Sequence, residues 1–233
     1  MHSGNPLVET WIPDGGFKIE RRKIKTPDGS TLAECLVPKW TSDDLTPDHP
    51  CARQPCLHRV LADCPPTPEG ILALSDRYGL LTVTIPRRPA PGEKIRADVL
   101  PPEPLDIWRA EIRALRACVD LWESIAGGNR DATAALNRKL AEKLAGARFH
   151  LTACPGEGRF LLAYRPLRLV DAVWQRFAEE ISGRIQCVRC PAPKCGRWLL
   201  RGTARSDRVY CSNACKNQVF RAQRRRPAAV TDR

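Results

Sequence analysis

Four cysteines near one end of the chain have the types and spacing of a metal site. They lie in the stretch CPAPKCGRWLLRGTARSDRVYCSNACKNQVFRAQRRR, residues 190–226. Cys190-x4-Cys195, fifteen residues, then Cys211-x3-Cys215 is the grammar of one structural zinc ion: each close pair supplies two tetrahedral corners, and the segment between them folds back. Thiolate suits zinc, a borderline-soft ion that stabilises deprotonated sulfur. So short a segment has little apolar surface, so metal binding would supply much of its folding energy. Four ligands also close the shell, which argues against a catalytic ion with an open water position. Cys187-x2-Cys190 is itself a familiar ligand spacing. The preferred pairing is nevertheless Cys190 with Cys195, which leaves Cys187 as a fifth, non-ligand thiol.

The basic residues gather at the same end. From residue 187 to 233 the net charge is +10, against +12 for the whole chain, so residues 1–186 carry only +2. A polyanion partner should therefore meet the C-terminal segment. On a helical wheel Cys211, Cys215, Val219 and Ala222 share one face, towards the metal. Asn217, Arg221 and Arg224 share the opposite face, with Arg225 beside them. Thiolates at a helix N-terminus also gain from the positive end of the helix dipole. Arg197, Arg201, Arg205 and Arg208, between the cysteine pairs, add candidate phosphate contacts from a loop or hairpin, and Lys216 adds one from the helix. Each cation that meets a phosphate releases counterions and makes affinity salt-dependent. Base readout would fall to Arg, Asn or Gln on the exposed face, where Asn217, Gln218 and Gln223 stand.

At these residues the chain resembles a known family. Cys-x4-Cys-Gly-Arg-Trp followed by YCSNACKNQVFRAQRR is similar to the bacterial CGNR zinc finger, which closes an ABATE-type N-terminal domain in proteins described as stress-induced transcription regulators. The likeness is specific over about 187–226 and only architectural over about 57–186, through PEGILALSDRYGLL, a long Trp-bearing helix, the hairpin RFHLTACPGEGRFLLAYRPL and an amphipathic helix. One departure falls on the motif that names the family. After the last cysteine Gly-Asn-Arg is expected, and this chain has Lys216-Asn217-Gln218. The zinc site is untouched by that change, but a DNA contact made by the family's arginine does not carry over to Gln218. The resemblance implies a treble-clef-like finger and a transcription-regulating role.

Other chemistry is sparse. His49, Cys51, Cys56, His58 and Cys64 form a second cluster that could bind a second metal, but it is crowded and has no distant partner pair, so loop and helix-start roles are expected. There is no Gly-rich phosphate loop ending in Lys-Ser/Thr, no His-Glu-x-x-His helix and no Gly-x-Ser-x-Gly elbow. Glu179-Glu180 reads as a solvated helix end. The expectation is a protein that is not an enzyme.

The elements that must position the cysteines come from pattern. Residues 17–37 read as a hairpin around Asp28-Gly29, followed by a loop from about 38 to 50. A helix enters through Thr67-Pro68-Glu69 and stops near Gly79, and LTVTIPRRPAPGEK reads as a short strand running into a linker. Leu105, Trp108, Ile112, Leu115, Val119 and Trp122, spaced 3, 4, 3, 4, 3, form one buried helical stripe. Aromatics at that spacing are core far more often than pocket lining. A helix over about 131–145, a second hairpin around PGEG, and a helix with Leu167, Val170, Trp174, Phe177 and Ile181 on one face complete the series. No apolar run reaches the roughly 18–20 residues that cross a bilayer. The N-terminus lacks the basic and apolar regions of a signal peptide, and eleven cysteines, an odd number, argue against a disulfide framework. A cytoplasmic protein with no membrane partner is the default.

The expected fold is α+β: a mainly α-helical N-terminal domain with two β-hairpins over 1–183, a C-terminal treble-clef-like zinc finger over 187–226, and a disordered basic tail over 227–233. The expected function is zinc-dependent DNA binding, in a transcription regulator whose larger domain senses a signal or takes a protein partner. The alternative is a protein-interaction module whose finger is purely structural.

Overall fold

The computed structural model describes residues 10–40, 44–83, 96–146, 149–153, 160–164, 166–201 and 209–224, and the fold is α+β. In chain order come β1 (Thr10–Pro13), β2 (Phe17–Thr26), β3 (Gly29–Pro38), β4 (Leu45–Asp48), α1 (Pro50–Arg53), α2 (Leu57–Asp63) and α3 (Pro68–Tyr78). Then follow β5 (Glu103–Pro104), α4 (Leu105–Ala126), α5 (Ala132–Leu144), β6 (Phe149–Ala153), β7 (Phe160–Tyr164) and α6 (Leu169–Ile181). Last are β8 (Gln186–Arg189), β9 (Trp198–Arg201) and α7 (Asn213–Arg224). Every described strand pairing is antiparallel: β1 with β4, β2 with β3, β3 with β5, β6 with β7, and β8 with β9. The chain divides into two compact units, Met1–Ala178 and Glu179–Arg233.

The first unit has a packed apolar core. Trp108, Trp174, Tyr78, Phe17, Phe177 and Leu57 are among its largest fully buried side chains. The stripe expected on α4 buries Leu105, Trp108, Ile112, Leu115 and Val119, while Trp122 is only half-buried. Both core tryptophans have a carboxylate partner: Trp108 Nε1 donates to Glu103 Oε2 at 2.5 Å, and Trp174 Nε1 donates to Glu111 Oε2 at 2.9 Å. A buried indole N–H needs such an acceptor. Glu103, only 2% exposed, also accepts from the backbone N–H groups of Leu81 and Thr82 and from the Thr82 hydroxyl, at 2.6–2.9 Å. It thereby ties the segment after α3 to the start of α4. Gly16 has φ +75°, and a Cβ there would lie 2.6 Å from Asp76 Oδ1, the atom that accepts the Phe17 N–H. Glycine is what lets β2 start against α3.

Some expectations shift. Residues 38–50 were expected as loop, but β4 and α1 lie within and beside that span, and β4 pairs with β1 in the register Thr10↔Asp48 to Pro13↔Leu45. Both strands are four residues long and contain proline, so neither shows the alternation that marks a strand. Leu167 is not on the buried face of α6: it precedes the helix and is 42% exposed. Leu81, Thr82 and Val83 are not a strand, and the rest of that expected strand and linker, 84–95, lies outside the described residues.

Candidate metal centre

Two local structures carry the cysteine pairs. In the first, β8 and β9 form a hairpin with Arg189 opposite Trp198. The Arg189 guanidinium stacks 4.8 Å from the centre of the Trp198 ring, which fixes the end of the hairpin. The connecting loop doubles back on itself: Cys190 N–H donates to the Arg197 carbonyl at 2.8 Å, and Cys195 N–H donates to the Ala192 carbonyl at 3.1 Å. Lys194 and Gly196 bracket Cys195 in the left-handed region, at φ 65° and 62°. Lys194 is the one non-glycine residue with positive φ among those described. This reversal places both sulfurs of the pair on the same side.

The second structure is the start of α7. Ser212 Oγ accepts the Cys215 N–H at 3.2 Å, and Lys216 N–H donates to the Ser212 carbonyl at 3.1 Å. Ser212 thus caps the helix, satisfying an N–H that the first turn leaves unpaired. Cys215 lies in that first turn. Cys211 precedes it, so the wheel that set Cys211 and Cys215 four apart on one helix is corrected: the cap serine, not helical periodicity, brings Cys211 round. Ala222, expected towards the metal, is exposed, whereas Cys215 and Val219 are half-buried. The inward face is one turn shorter than the wheel implied.

The four sulfurs meet. Cys195 Sγ lies 3.4 Å from Cys211 Sγ, and Cys211 Sγ lies 3.3 Å from Cys215 Sγ. All four ligand atoms of Cys190, Cys195, Cys211 and Cys215 fall within 4.8 Å of one another. Disulfide sulfurs sit at about 2.05 Å, so these are separate thiols. Four sulfurs at about 2.3 Å from one ion would be about 3.8 Å apart; the two distances above are somewhat shorter than that, and no pair exceeds 4.8 Å. The four cysteines lie close enough to hold one metal ion.

Their acid-base behaviour fits a cation. Burial works to raise the pKa of Cys190, but the N–H groups of Cys211 and Ala192 and the thiols of Cys195 and Cys211 favour its thiolate, and it falls to about 7. Cys211 goes the other way: burial first, then its sulfur neighbours, push it up to about 12. Of these two thiols, Cys190 therefore gives up its proton the more readily.

Cys187 stands apart from the four. It is buried on β8 opposite Leu200, and the ligand pair is Cys190 with Cys195. The second cluster does not assemble, since no three of His49, Cys51, Cys56, His58 and Cys64 bring ligand atoms within 4.8 Å of one another. Cys51, Cys56, Cys64 and His58 are core, and burial pushes the Cys64 thiol up to about 11, away from ligand chemistry.

The basic residues divide between the two structures. Lys216, Asn217 and Arg221 are exposed on α7, together with Gln218 and Gln223. Arg197 is exposed in the loop of the hairpin, and Arg201 is exposed at the end of β9. Arg224 is the last residue of α7. Arg205, Arg208 and Arg225 lie outside the described residues, as does the expected tail over 227–233. Phe220 is 47% exposed, with Lys216 Nζ 5.8 Å from its ring centre. The sequence reading passed over Phe220 and Ser212. Serine three residues before a cysteine that opens a helical pattern was the available signal for the cap; nothing in the spacing marks Phe220 as exposed. No protein-family model, curated protein or solved structure matches the chain.

Proposed function

We propose that the chain is a DNA-binding transcription regulator whose second unit is a zinc finger of the treble-clef kind. The observation that carries this reading is the four-thiol cage at the foot of α7, a helix that turns Lys216, Asn217, Arg221 and Gln223 to solvent. Zinc is the ion proposed, because an all-thiolate tetrahedron selects it over harder divalent cations. In that role the metal is structural: it fixes the start of α7 against the β8–β9 hairpin and leaves no coordination position open for catalysis. The cysteines hold it, Ser212 orients the helix start, and the exposed cations meet phosphate. Lys216 restores near the helix start a positive charge that the CGNR-like pattern would carry at position 218. The first unit is the sensing or partner-binding part of the regulator.

A second reading, that the finger is a protein-interaction module, draws on Phe220, an exposed aromatic on the same helix. One experiment separates the two. Zinc content and native mass are measured on the full chain and on Cys211→Ser and Arg221→Ala/Arg224→Ala variants, and each is then titrated with duplex DNA across a salt series. The DNA reading expects one zinc, binding that weakens steeply with salt, and loss of that binding in the arginine variant with zinc retained. One zinc with no duplex binding at low salt overturns it in favour of the interaction module.

A further inference from the structure

Five basic residues that the function above leaves unused, Lys18, Arg21, Arg22, Lys23 and Lys25, lie on the β2–β3 hairpin of the first unit. At its base the hairpin is core: Phe17, Cys35, Leu36 and Val37 are buried. Only two residues of β3, Cys35 and Leu36, pair with β5. Beyond them, among the described residues, the two strands pair only with each other, and from Arg21 to Glu34 every position is exposed or half-buried. At about 3.4 Å per residue, the six residues from Arg21 to Thr26 give an arm about 20 Å long, two strands wide.

Alternation sorts the charges on that arm. Arg21, Lys23 and Lys25 share one face with their cross-strand partners Glu34, Leu32 and Ser30. The acidic residues nearby are mostly committed elsewhere. Glu20, on the other face, pairs with Lys18 and Arg22 at 2.7 and 2.5 Å, and Glu34 pairs with Arg109 at 3.2 Å. Asp28 sits at the turn. Among the described residues, no carboxylate pairs with Arg21, Lys23 or Lys25. Three cations therefore stand in a row, about 6.8 Å apart, with Leu32, 65% exposed, beside Lys23.

We infer that this arm is a second nucleic-acid contact, laying Arg21, Lys23 and Lys25 along the phosphates of duplex DNA. The inference rests on the reading of the chain as a DNA-binding protein and adds a contact in the first unit. A two-stranded ribbon has the width that a major groove admits, and the row of cations is spaced like phosphates along one strand. An anionic membrane fits less well: the tip, Thr26-Pro27-Asp28-Gly29-Ser30, offers no aromatic to insert and carries an acid that such a surface repels. With the finger, the arm would divide phosphate contacts between both units.

The test is a salt series of duplex-DNA binding by the zinc-loaded full chain, comparing Arg21→Ala/Lys23→Ala/Lys25→Ala with Arg221→Ala/Arg224→Ala. Each lost phosphate contact removes about 0.9 from the slope of log K against log salt. The arm variant should lower that slope by about 2.7 and weaken binding about tenfold or more at low salt, for both matched and scrambled duplexes. An Arg21→Lys/Lys23→Arg/Lys25→Arg variant, which keeps the charge, should restore the slope. Circular dichroism and zinc content should match the parent in every variant. If the arm variant keeps the parental slope while the helix variant loses it, the arm inference falls and the finger reading stands. Should the arm variant lose slope and the helix variant keep it, the finger reading falls and the arm stands. Absence of duplex binding by the parent at low salt overturns both. Vesicles containing phosphatidylserine are the last arm of the test: capture that the arm variant loses, with DNA binding unchanged, would replace DNA by a lipid surface.

Discussion

The two units differ in what they have to hold them in order. The first has a core of two tryptophans, aromatic rings and aliphatics, with the buried Glu103 and the half-buried Glu111 satisfying the indole N–H groups. Among the described residues of the second, the buried apolar side chains are Cys187, Cys190 and Ala192. Apolar burial worth about 25 cal/mol per Å² supports the one and has little to act on in the other. What the second unit has instead is four sulfurs within 4.8 Å of one another. With the proposed ion bound, the chain would hold two kinds of stability that respond to different perturbations.

The sharpest way to break that comparison is to withhold the zinc proposed for the four cysteines. Structural zinc contributes about 10–16 kcal/mol to small thiolate domains near neutral pH. Chelation, or Cys211→Ser, is therefore expected to abolish amide protection over the second unit while leaving the first unit's protection intact, as read by hydrogen exchange. Equal loss in both units would show that they are not independently ordered.

The converse perturbation is Trp108→Ala. It empties a fully buried site and leaves donors of Glu103's network rearranged, for an expected loss of about 3–5 kcal/mol. Denaturant melts should show that loss in the first unit alone, with metal content unchanged. A parallel fall in zinc affinity would contradict the division.

Smaller changes sharpen the picture within the second unit. Ser212→Ala removes the side-chain acceptor of the Cys215 N–H and should cost about 1 kcal/mol, seen as a roughly fivefold weaker zinc affinity in chelator competition. Lys194→Gly acts in the opposite sense. It relieves a left-handed conformation that costs a non-glycine residue about 1–2 kcal/mol, so zinc should be held somewhat more tightly.

The two units also differed in how far their sequence could be read. The α4 stripe was legible because a 22-residue amphipathic helix repeats its signal six times, and the β2–β3 turn was legible because Asp28-Gly29 is local chemistry. The cysteine grouping was legible from spacing, since close pairs constrain geometry without any knowledge of the fold. What stayed hidden was non-local. β1 and β4 meet across more than thirty residues with no alternation to announce them. Glu103 is one acid among many until the fold buries it beneath Leu81, Thr82 and Trp108. On α7 the wheel set Asn217 and Arg221 outward, where they are exposed, but assumed that the helix began at Cys211. Spacing alone does not distinguish a turn capped by serine from a helical turn.

The projecting arm of β2 and β3 has one more consequence, for solubility. Among the described residues, the outer edge of β2 has no strand partner, and β3 beyond Cys35 pairs only with β2. Such edges expose rows of N–H and C=O groups that invite strands of other copies to add on. Arg21, Lys23 and Lys25 along the strand, with Pro27 at its tip, are the kinds of residue that repel or interrupt such stacking. Stripping the arm of that charge is therefore expected to raise self-association, which light scattering on the Arg21→Ala/Lys23→Ala/Lys25→Ala variant at rising concentration would read.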